Sequence, residues 1–519
     1  MNPTVGKILA ITAKQCPDKV AVICDGNSIT YGQLNGRVNQ VAHGFLQRGI
    51  TRGNRVALLL YNSIELVTLY FALAKVGCVG IPLNIRLSGR ELSAVINGSN
   101  ATQLIMGEEW AATVNRLKPE LARIKDTITV EKDPRSAGEF YRLYHREPDA
   151  EPDVLVKPED ASFIIYTSGT GMHPRGVVLT HDNHFWNTRN YTSAYQMAED
   201  DVELALTPMF HSSTLGRVVT YVFNGVTFVT AQCFDPERAM ELIARYRVTS
   251  ITQSPTMYAA LLNLTPGSSH SASSLRRLVS GAAPLFPSIR SGLAKRFPRA
   301  GIFDLYGLTE ASPGVSILTP HDPPDKIASV GKPMKHVTVR IVDDRGREVP
   351  AGENGEIICR GPTIMKGYDN DPAATRAVLK GGWLYTGDTG KLDRDGYLYL
   401  TGRKKDLIVR GGENIYPAEV EAVLQLHPRI LEAAVIGVPD DYWGESVKAF
   451  VVLRPGETLR EEDVIAFCGL HLAHYKKPRS VAFVTDLPKN AAGKIVKREL
   501  LKKQCLKCTK LPRVPKMKT

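Results

Sequence analysis

Short apolar runs alternate with helix-period stretches over most of the first 400 positions, and this alternation limits the fold more than any other feature of the chain. Residues 55–60 (RVALLL) predict a buried strand, 64–76 a helix, and 79–82 the next strand. Further strands are predicted over 162–166, 202–206, 227–229, 250–253 and 278–280, with helical patterns between most of them. The pattern predicts an α/β fold of several layers with largely parallel sheets. After position 331 the texture changes. Residues 337–342, 355–359 and 397–401 predict strands joined by the turn signals Asp344-Arg345-Gly346 and Arg394-Asp395-Gly396, hence a small β-rich region. From about 404 the chain restarts as an α+β unit, with a helix over 417–425, strands over 430–438 and 446–453, and a helix over 460–473. A chain of 519 residues exceeds one compact core. The expected organisation is a large domain over 1–403 and a small domain over 404–519. Residues 134–158, rich in charge and proline, predict a surface connection.

Bulk properties remove several function classes. The best apolar stretch, 56–83, is interrupted by Asn62, Glu65 and Lys75, so no membrane span is expected. The first residues lack a basic segment followed by an apolar block, and a cytoplasmic location is expected. The eight cysteines are scattered and read as reduced thiols. Cys505 and Cys508 form a CxxC, but no second ligand pair stands near to complete a zinc site. The net charge is +12, and residues 494–519 hold ten Lys or Arg against one Glu. That tail reads either as a solvated segment or as a peripheral contact for an anionic membrane or a polyanionic cofactor. No recognition motif accompanies the charge, so no nucleic-acid partner is expected. The oligomeric state is not legible.

Residues 162–175 read SFIIYTSGTGMHPR, a strand running directly into Thr167, Ser168, Gly169, Thr170 and Gly171, with Arg175 close behind. Hydroxyls, glycines and backbone N–H groups in such a loop can converge on phosphate oxygens, and a nearby cation completes the neutralisation. It is not a P-loop, because no Gly-Lys-Ser/Thr opens a helix. The segment resembles the signature loop of the adenylate-forming superfamily: acyl-CoA synthetases, aryl-CoA ligases, adenylation domains and beetle luciferases. That loop usually reads YTSGTTGxPKG. Here Gly171 lacks the usual hydroxyl, Met172 replaces a glycine, and Arg175 keeps the cation with a fork-shaped head. These departures predict weaker ATP binding or slower adenylation than the usual loop gives.

Further segments resemble the superfamily in its usual order along nearly the whole chain. Pro208-Met209-Phe210-His211 is similar to the segment beside the carboxylate pocket, which implies a positioning or gating role for His211. Gly281, Ala282 and Ala283 imply a small-residue bed for adenine. Asp304-Leu305-Tyr306-Gly307-Leu308-Thr309-Glu310 resembles the YGxTE motif. The resemblance implies adenine against Tyr306, the α-phosphate at Thr309 and Mg²⁺ at Glu310, with Thr170 as a second Mg²⁺ ligand. Asp388, in a TGD motif, implies a ribose site, and Arg403 adds either a ribose donor or a structural ion pair. Lys405 falls where the family has its interdomain hinge, Gly411 and Gly412 where the pantetheine thiol passes, and Lys494 where a lysine bridges the acid and the α-phosphate.

What the resemblance implies is an ATP-dependent ligase that uses Mg²⁺ and coenzyme A. It would adenylate a carboxylic acid, release pyrophosphate, then pass the acyl group to the thiol. The pattern is nearest to bacterial medium- and long-chain fatty acyl-CoA ligases, so a fatty acid is expected, with aryl acids open. The rivals are a stand-alone adenylation enzyme loading an acyl carrier protein, and a non-catalytic nucleotide- or acyl-binding protein with a degraded phosphate loop. Luciferase-like oxidation has no positive sign in the sequence.

Overall fold

The computed structural model describes residues 1–132, 138–167, 174–264, 271–410, 413–440, 443–490 and 495–508; of residues 405, 413, 414, 444 and 503–508 it describes the backbone alone. The chain divides into two units, one of Met1–Ala282, Gly292–Arg340 and Ile358–Thr386, the other of Ala283–Ser291, Ile341–Ile357 and Gly387–Thr519.

Among the described residues the first unit holds two large sheets. In one, the order is Lys332–Pro333, Gly314–Leu318, Gly301–Gly307, Arg277–Gly281, Ser250–Gln253, Val202–Leu204, Thr227–Thr230, Val20–Cys24 and Asn27–Thr30. Its six inner strands, from Gly301–Gly307 to Val20–Cys24, are parallel, and antiparallel strands close both edges. The other runs Gly367–Tyr368, Arg175–Thr180, Ala161–Thr167, Val79–Pro82, Arg55–Leu59, Gln103–Gly107 and Asp126–Val130. It is parallel except for the hairpin at Ala161–Thr167 and its neighbour Gly367–Tyr368. The expected α/β layering is therefore present. Helix Ile64–Val76 shows why the apolar runs were so readable. Ser63 caps its start, Gly77 in the left-handed region ends it, and every residue but Glu65 is buried.

One expectation needs correction. Residues 134–158 are more than a connection. Glu139–Tyr144 forms a helix that buries Phe140 and Leu143. Glu151 meets the Lys75 ammonium at 2.7 Å, and Asn35 and Asn39 accept from the same ammonium at 2.7 and 2.6 Å. Burial holds Lys75 below its usual range, so this cluster pins the segment to the core. The Trp-Leu-Tyr-Thr-Gly-Asp stretch, read only as a motif, lies within the strand Trp383–Leu392. Its start pairs with Leu379–Lys380 and its end with Leu398–Arg403.

Helix His181–Tyr195 carries two buried histidines. Burial pushes His181 down to about 4 and His184 to about 3. His181 Nδ1 accepts from the Val5 amide at 3.3 Å, while neither ring nitrogen of His184 has a protein partner. The unfolded chain binds protons on these groups from about pH 6.5 downward, whereas the folded chain does not until the lower values. Stability is thus full above about pH 6.5 and falls toward pH 4, on the order of 3 kcal/mol for each histidine. Thermal unfolding against pH should show this slope, and His184→Leu should flatten it.

The second unit has an antiparallel sheet in the order Glu413–Ile415, Ile408–Arg410, Gly444–Leu453, Ile430–Asp440, with Ser480–Phe483 added parallel to Gly444–Leu453. Helices Pro417–Gln425 and Glu461–His471 cover one face through Val420, Leu424, Val464 and Cys468. The α+β character expected here is present, while the second unit begins at Gly387 and also takes in Ala283–Ser291 and Ile341–Ile357. Among the described residues no helix is long and apolar enough to cross a membrane.

Candidate active site

The first unit gathers several of the sequence candidates at the ends of its strands. Strand Gly301–Gly307 places Asp304 and Tyr306 on one face, both buried. The chain then closes tightly. A Cβ at Gly307 would lie 1.8 Å from the Pro313 carbonyl oxygen, so only glycine fits, and the Leu308 amide donates to that oxygen at 3.0 Å. The turn Thr309–Ala311 follows.

Both functional side chains of this turn are held from outside it. Thr309 Oγ1 is 3.0 Å from Oγ of Ser212, the first residue of helix Ser212–Phe223. Glu310 Oε1 accepts from the Tyr368 hydroxyl at 2.9 Å, and its backbone carbonyl accepts from the Met365 amide at 2.9 Å. Tyr368 lies in the short strand Gly367–Tyr368 and pairs with Val177. Burial and the adjacent Glu310 carboxylate raise its phenol, so the ring keeps its proton and donates. The Arg175 guanidinium sits 5.4 Å from the Tyr368 ring centre, with its Nε 3.9 Å from Asp371. Thr167 pairs with Arg175 across the hairpin that carries the phosphate loop. Arg175, Tyr368, Glu310, Thr309 and Ser212 therefore form one chain of contacts. Ser168, Gly169, Thr170 and Gly171 lie outside the described residues.

Among the described residues no cluster of three His, Cys, Asp or Glu could cage a metal. Mg²⁺ bound with a nucleotide needs only one or two carboxylates beside phosphate oxygens. Glu310 fits that demand, since the single contact from Tyr368 fixes one carboxylate oxygen and aims the group. Tyr368→Phe removes a hydrogen bond to a charged acceptor. The expected result is a roughly tenfold fall in kcat with a raised Mg²⁺ requirement, read from a magnesium titration.

His211 precedes the Ser212–Phe223 helix, its ring 4.3 Å from that of Phe210. Its Nε2 is buried with no protein partner, and burial, then Arg86, pushes it down to about 4. The ring is neutral at ordinary pH, which suits a positioning role rather than proton transfer near neutrality.

At the end of strand Arg277–Gly281, Gly281 pairs with Leu305, and Ala282 takes a φ of 70°. A left-handed alanine is uncommon and fixes a sharp bend into Ala283. In the second unit, Asp388 and Arg403 are register partners, and the Arg403 Nε meets the Asp388 carboxylate at 3.1 Å. Lys405 is within the turn Lys404–Asp406, its side chain undescribed. Gly411 and Gly412 lie outside the described residues, between paired strands Ile408–Arg410 and Glu413–Ile415. Lys494 also lies outside them, as do the end of the basic tail and the side chains of Cys505 and Cys508.

Sequence reasoning missed Tyr368. Its signal is slight, a Gly-Tyr pair between a basic residue and an Asp-Asn turn, and only the sheet pairing brings it to Glu310. The contact of Ser212 with Thr309 likewise has no signal in the sequence.

Comparisons with known proteins match nearly the whole chain. A family model described as "AMP-binding enzyme" matches residues 9–369, and one described as "AMP-binding enzyme C-terminal domain" matches 419–494. A feruloyl-CoA synthase of Amycolatopsis sp is 38% identical over 506 residues, 96% of this chain and 99% of that protein. The structure of the anthranilate CoA ligase AuaEII in complex with anthranoyl-AMP has a TM-score of 0.91 at 28% identity, covering 98% of each chain. That of a Mycobacterium tuberculosis fatty acyl CoA synthetase has a TM-score of 0.79 at 32% identity, covering 97% of this chain and 99% of the other.

Proposed function

The chain belongs to the AMP-binding enzyme family and is an AMP-forming acid–thiol ligase, and from that premise we propose that it activates a compact aromatic acid and transfers it to coenzyme A. The observation that carries the reading is the Thr309–Glu310 turn, clamped by Ser212 on one side and Tyr368 on the other. Such a clamp preorganises donors and a carboxylate where charge develops in adenylation.

In the reaction the acid carboxylate attacks the α-phosphorus of ATP, and pyrophosphate leaves. Thr309 donates to the α-phosphate, and Arg175 offsets charge on the departing phosphates. Mg²⁺ at Glu310 supplies further charge neutralisation when bound. His211, neutral, holds the wall of the acid site. Asp388 accepts from the ribose hydroxyls, steadied by Arg403. Lys494 bridges carboxylate and α-phosphate, as its place in the family pattern implies. The thiol then attacks the acyl carbon and AMP departs, with Lys405 as the hinge and Gly411-Gly412 on the thiol path.

The relatives support an aromatic acid in place of the fatty acid expected from sequence. The feruloyl-CoA synthase aligns end to end with the chain, and the anthranilate ligase shares its fold. Pyrophosphate release across a panel of aromatic and fatty acids, with thioester formation followed in parallel, tests the proposal. Turnover of aromatic acids with free coenzyme A is expected. Preference for long-chain acids would refute the aromatic assignment, and adenylation without thioester would point to a carrier-protein acceptor. The enzyme is further proposed to work in the cytoplasm.

A further inference from the structure

Tyr368 reaches Glu310 from a strand only two residues long, Gly367–Tyr368, too short to fix a side chain by its own pairing. The residue that follows supplies the missing anchor. Arg55 donates through Nη2 to Oδ1 of Asp369 and through Nη1 to Oδ2, each at 2.8 Å. Arg55 opens the strand Arg55–Leu59 of the same sheet, between the parallel strands Val79–Pro82 and Gln103–Gly107. Its Nη1 also donates to the Ser99 carbonyl at 2.6 Å, and Ser99 is wholly buried. The guanidinium is therefore fixed from the core side before it meets the carboxylate. The Asp369 side chain is 4% exposed and that of Arg55 26%.

The pair is joined to the active-site chain by the shortest possible routes. The Asp369 amide donates to the Gly176 carbonyl at 2.7 Å, and Gly176 follows Arg175 directly. Gly176 also pairs with Tyr166, the residue before Thr167 at the root of the phosphate loop. On the other side of the pair, Asp371 caps the helix Pro372–Val378 by accepting from the Ala374 amide at 2.8 Å, and it stands 3.9 Å from the Arg175 Nε. A nearly buried ion pair is no more stabilising than well-packed apolar side chains of the same volume. What a fork meeting a carboxylate adds is geometry, because two parallel hydrogen bonds fix both distance and rotation. A lysine at the same place would supply the charge without the rotation.

We propose that Arg55 and Asp369 are positioning residues for adenylation, holding the Gly367–Tyr368 strand so that the Tyr368 hydroxyl stays on the Glu310 carboxylate. Neither touches substrate. Without the fork the strand loses its fixed rotation, the phenol leaves Glu310, and the carboxylate is no longer aimed. This rests on the adenylation reading of the Thr309–Glu310 turn and not on which acid is activated.

The test is a double-mutant cycle in the full-length protein, with adenylation followed as pyrophosphate release and one acid used throughout, so that a wrong acid assignment alters no ratio. Asp369→Asn keeps the size of the side chain and is expected to lower kcat about fivefold, with the KM values for ATP and acid unchanged. In a Tyr368→Phe background the same substitution should lower kcat less than about twofold further, because the hydroxyl it acts through is already gone. Its effect on melting temperature should be the same in both backgrounds. Amide hydrogen exchange gives a readout that needs no substrate or metal. Exchange over residues 366–371 should be at least about tenfold faster in Asp369→Asn than in the parent, and unchanged in Tyr368→Phe, which keeps the ion pair. Arg55→Lys should reproduce both effects of Asp369→Asn, and it decides the matter if Asp369→Asn does not fold. Multiplying losses of about 50-fold in the double variant, a raised KM with unchanged kcat, or unchanged exchange over 366–371 would each overturn the inference.

Discussion

Lys494→Ala is expected to slow acyl-adenylate formation by about 10²–10³-fold while leaving transfer from preformed adenylate to coenzyme A far less affected. The asymmetry follows from charge. A carboxylate and a triphosphate repel one another, and the approach is feasible only where cations meet the developing negative charge. Arg175 packs on the Tyr368 ring and approaches Asp371, and a single guanidinium cannot neutralise both reacting anions. The family pattern assigns that task to Lys494. The thiol step brings no second phosphate toward the acid, so the same lysine has little to do there. Rapid-quench measurement of pyrophosphate, set beside thioester formation from synthetic adenylate, separates the half-reactions. Equal losses in both would contradict this division of labour.

Glu310→Gln is the second large effect, an expected fall of about 100-fold in adenylation at millimolar Mg²⁺, partly recovered at higher magnesium. Glutamine keeps the size of the side chain and can still accept from Tyr368, so the turn should stay folded. What it loses is the charge that draws the cation. The melting temperature should therefore barely move while the magnesium titration shifts to higher concentration. A parallel loss of stability and activity would mean that Glu310 braces the turn instead.

The sequence carried the fold well where one physical demand dominated. Residues 64–76 could be read as a helix because Ser63 and Gly77 bracket a run apolar on every side. The strands at 250–253 and 278–280 were legible as short apolar runs at the ends of helices, and they are neighbours in the large parallel sheet. The segment 134–158 misled because its charged residues look solvated, whereas Glu151 is spent on a buried lysine that no local pattern announces. The site divides in the same way. Motif residues such as Thr309, Glu310 and Asp388 stand out as candidates because the proposed chemistry demands particular side chains in a fixed spacing. Tyr368 does not, because its contact with Glu310 comes from strand pairing far along the chain.

The most direct measurement is exchange of labelled pyrophosphate into ATP, with Mg²⁺ and an aromatic acid present and no thiol added. Acid-dependent exchange is expected, followed on addition of coenzyme A by thioester and AMP in equal amounts. An absence of exchange with every acid tried, or consumption of ATP to ADP and phosphate, would contradict an enzyme that joins acid to nucleotide before the thiol arrives.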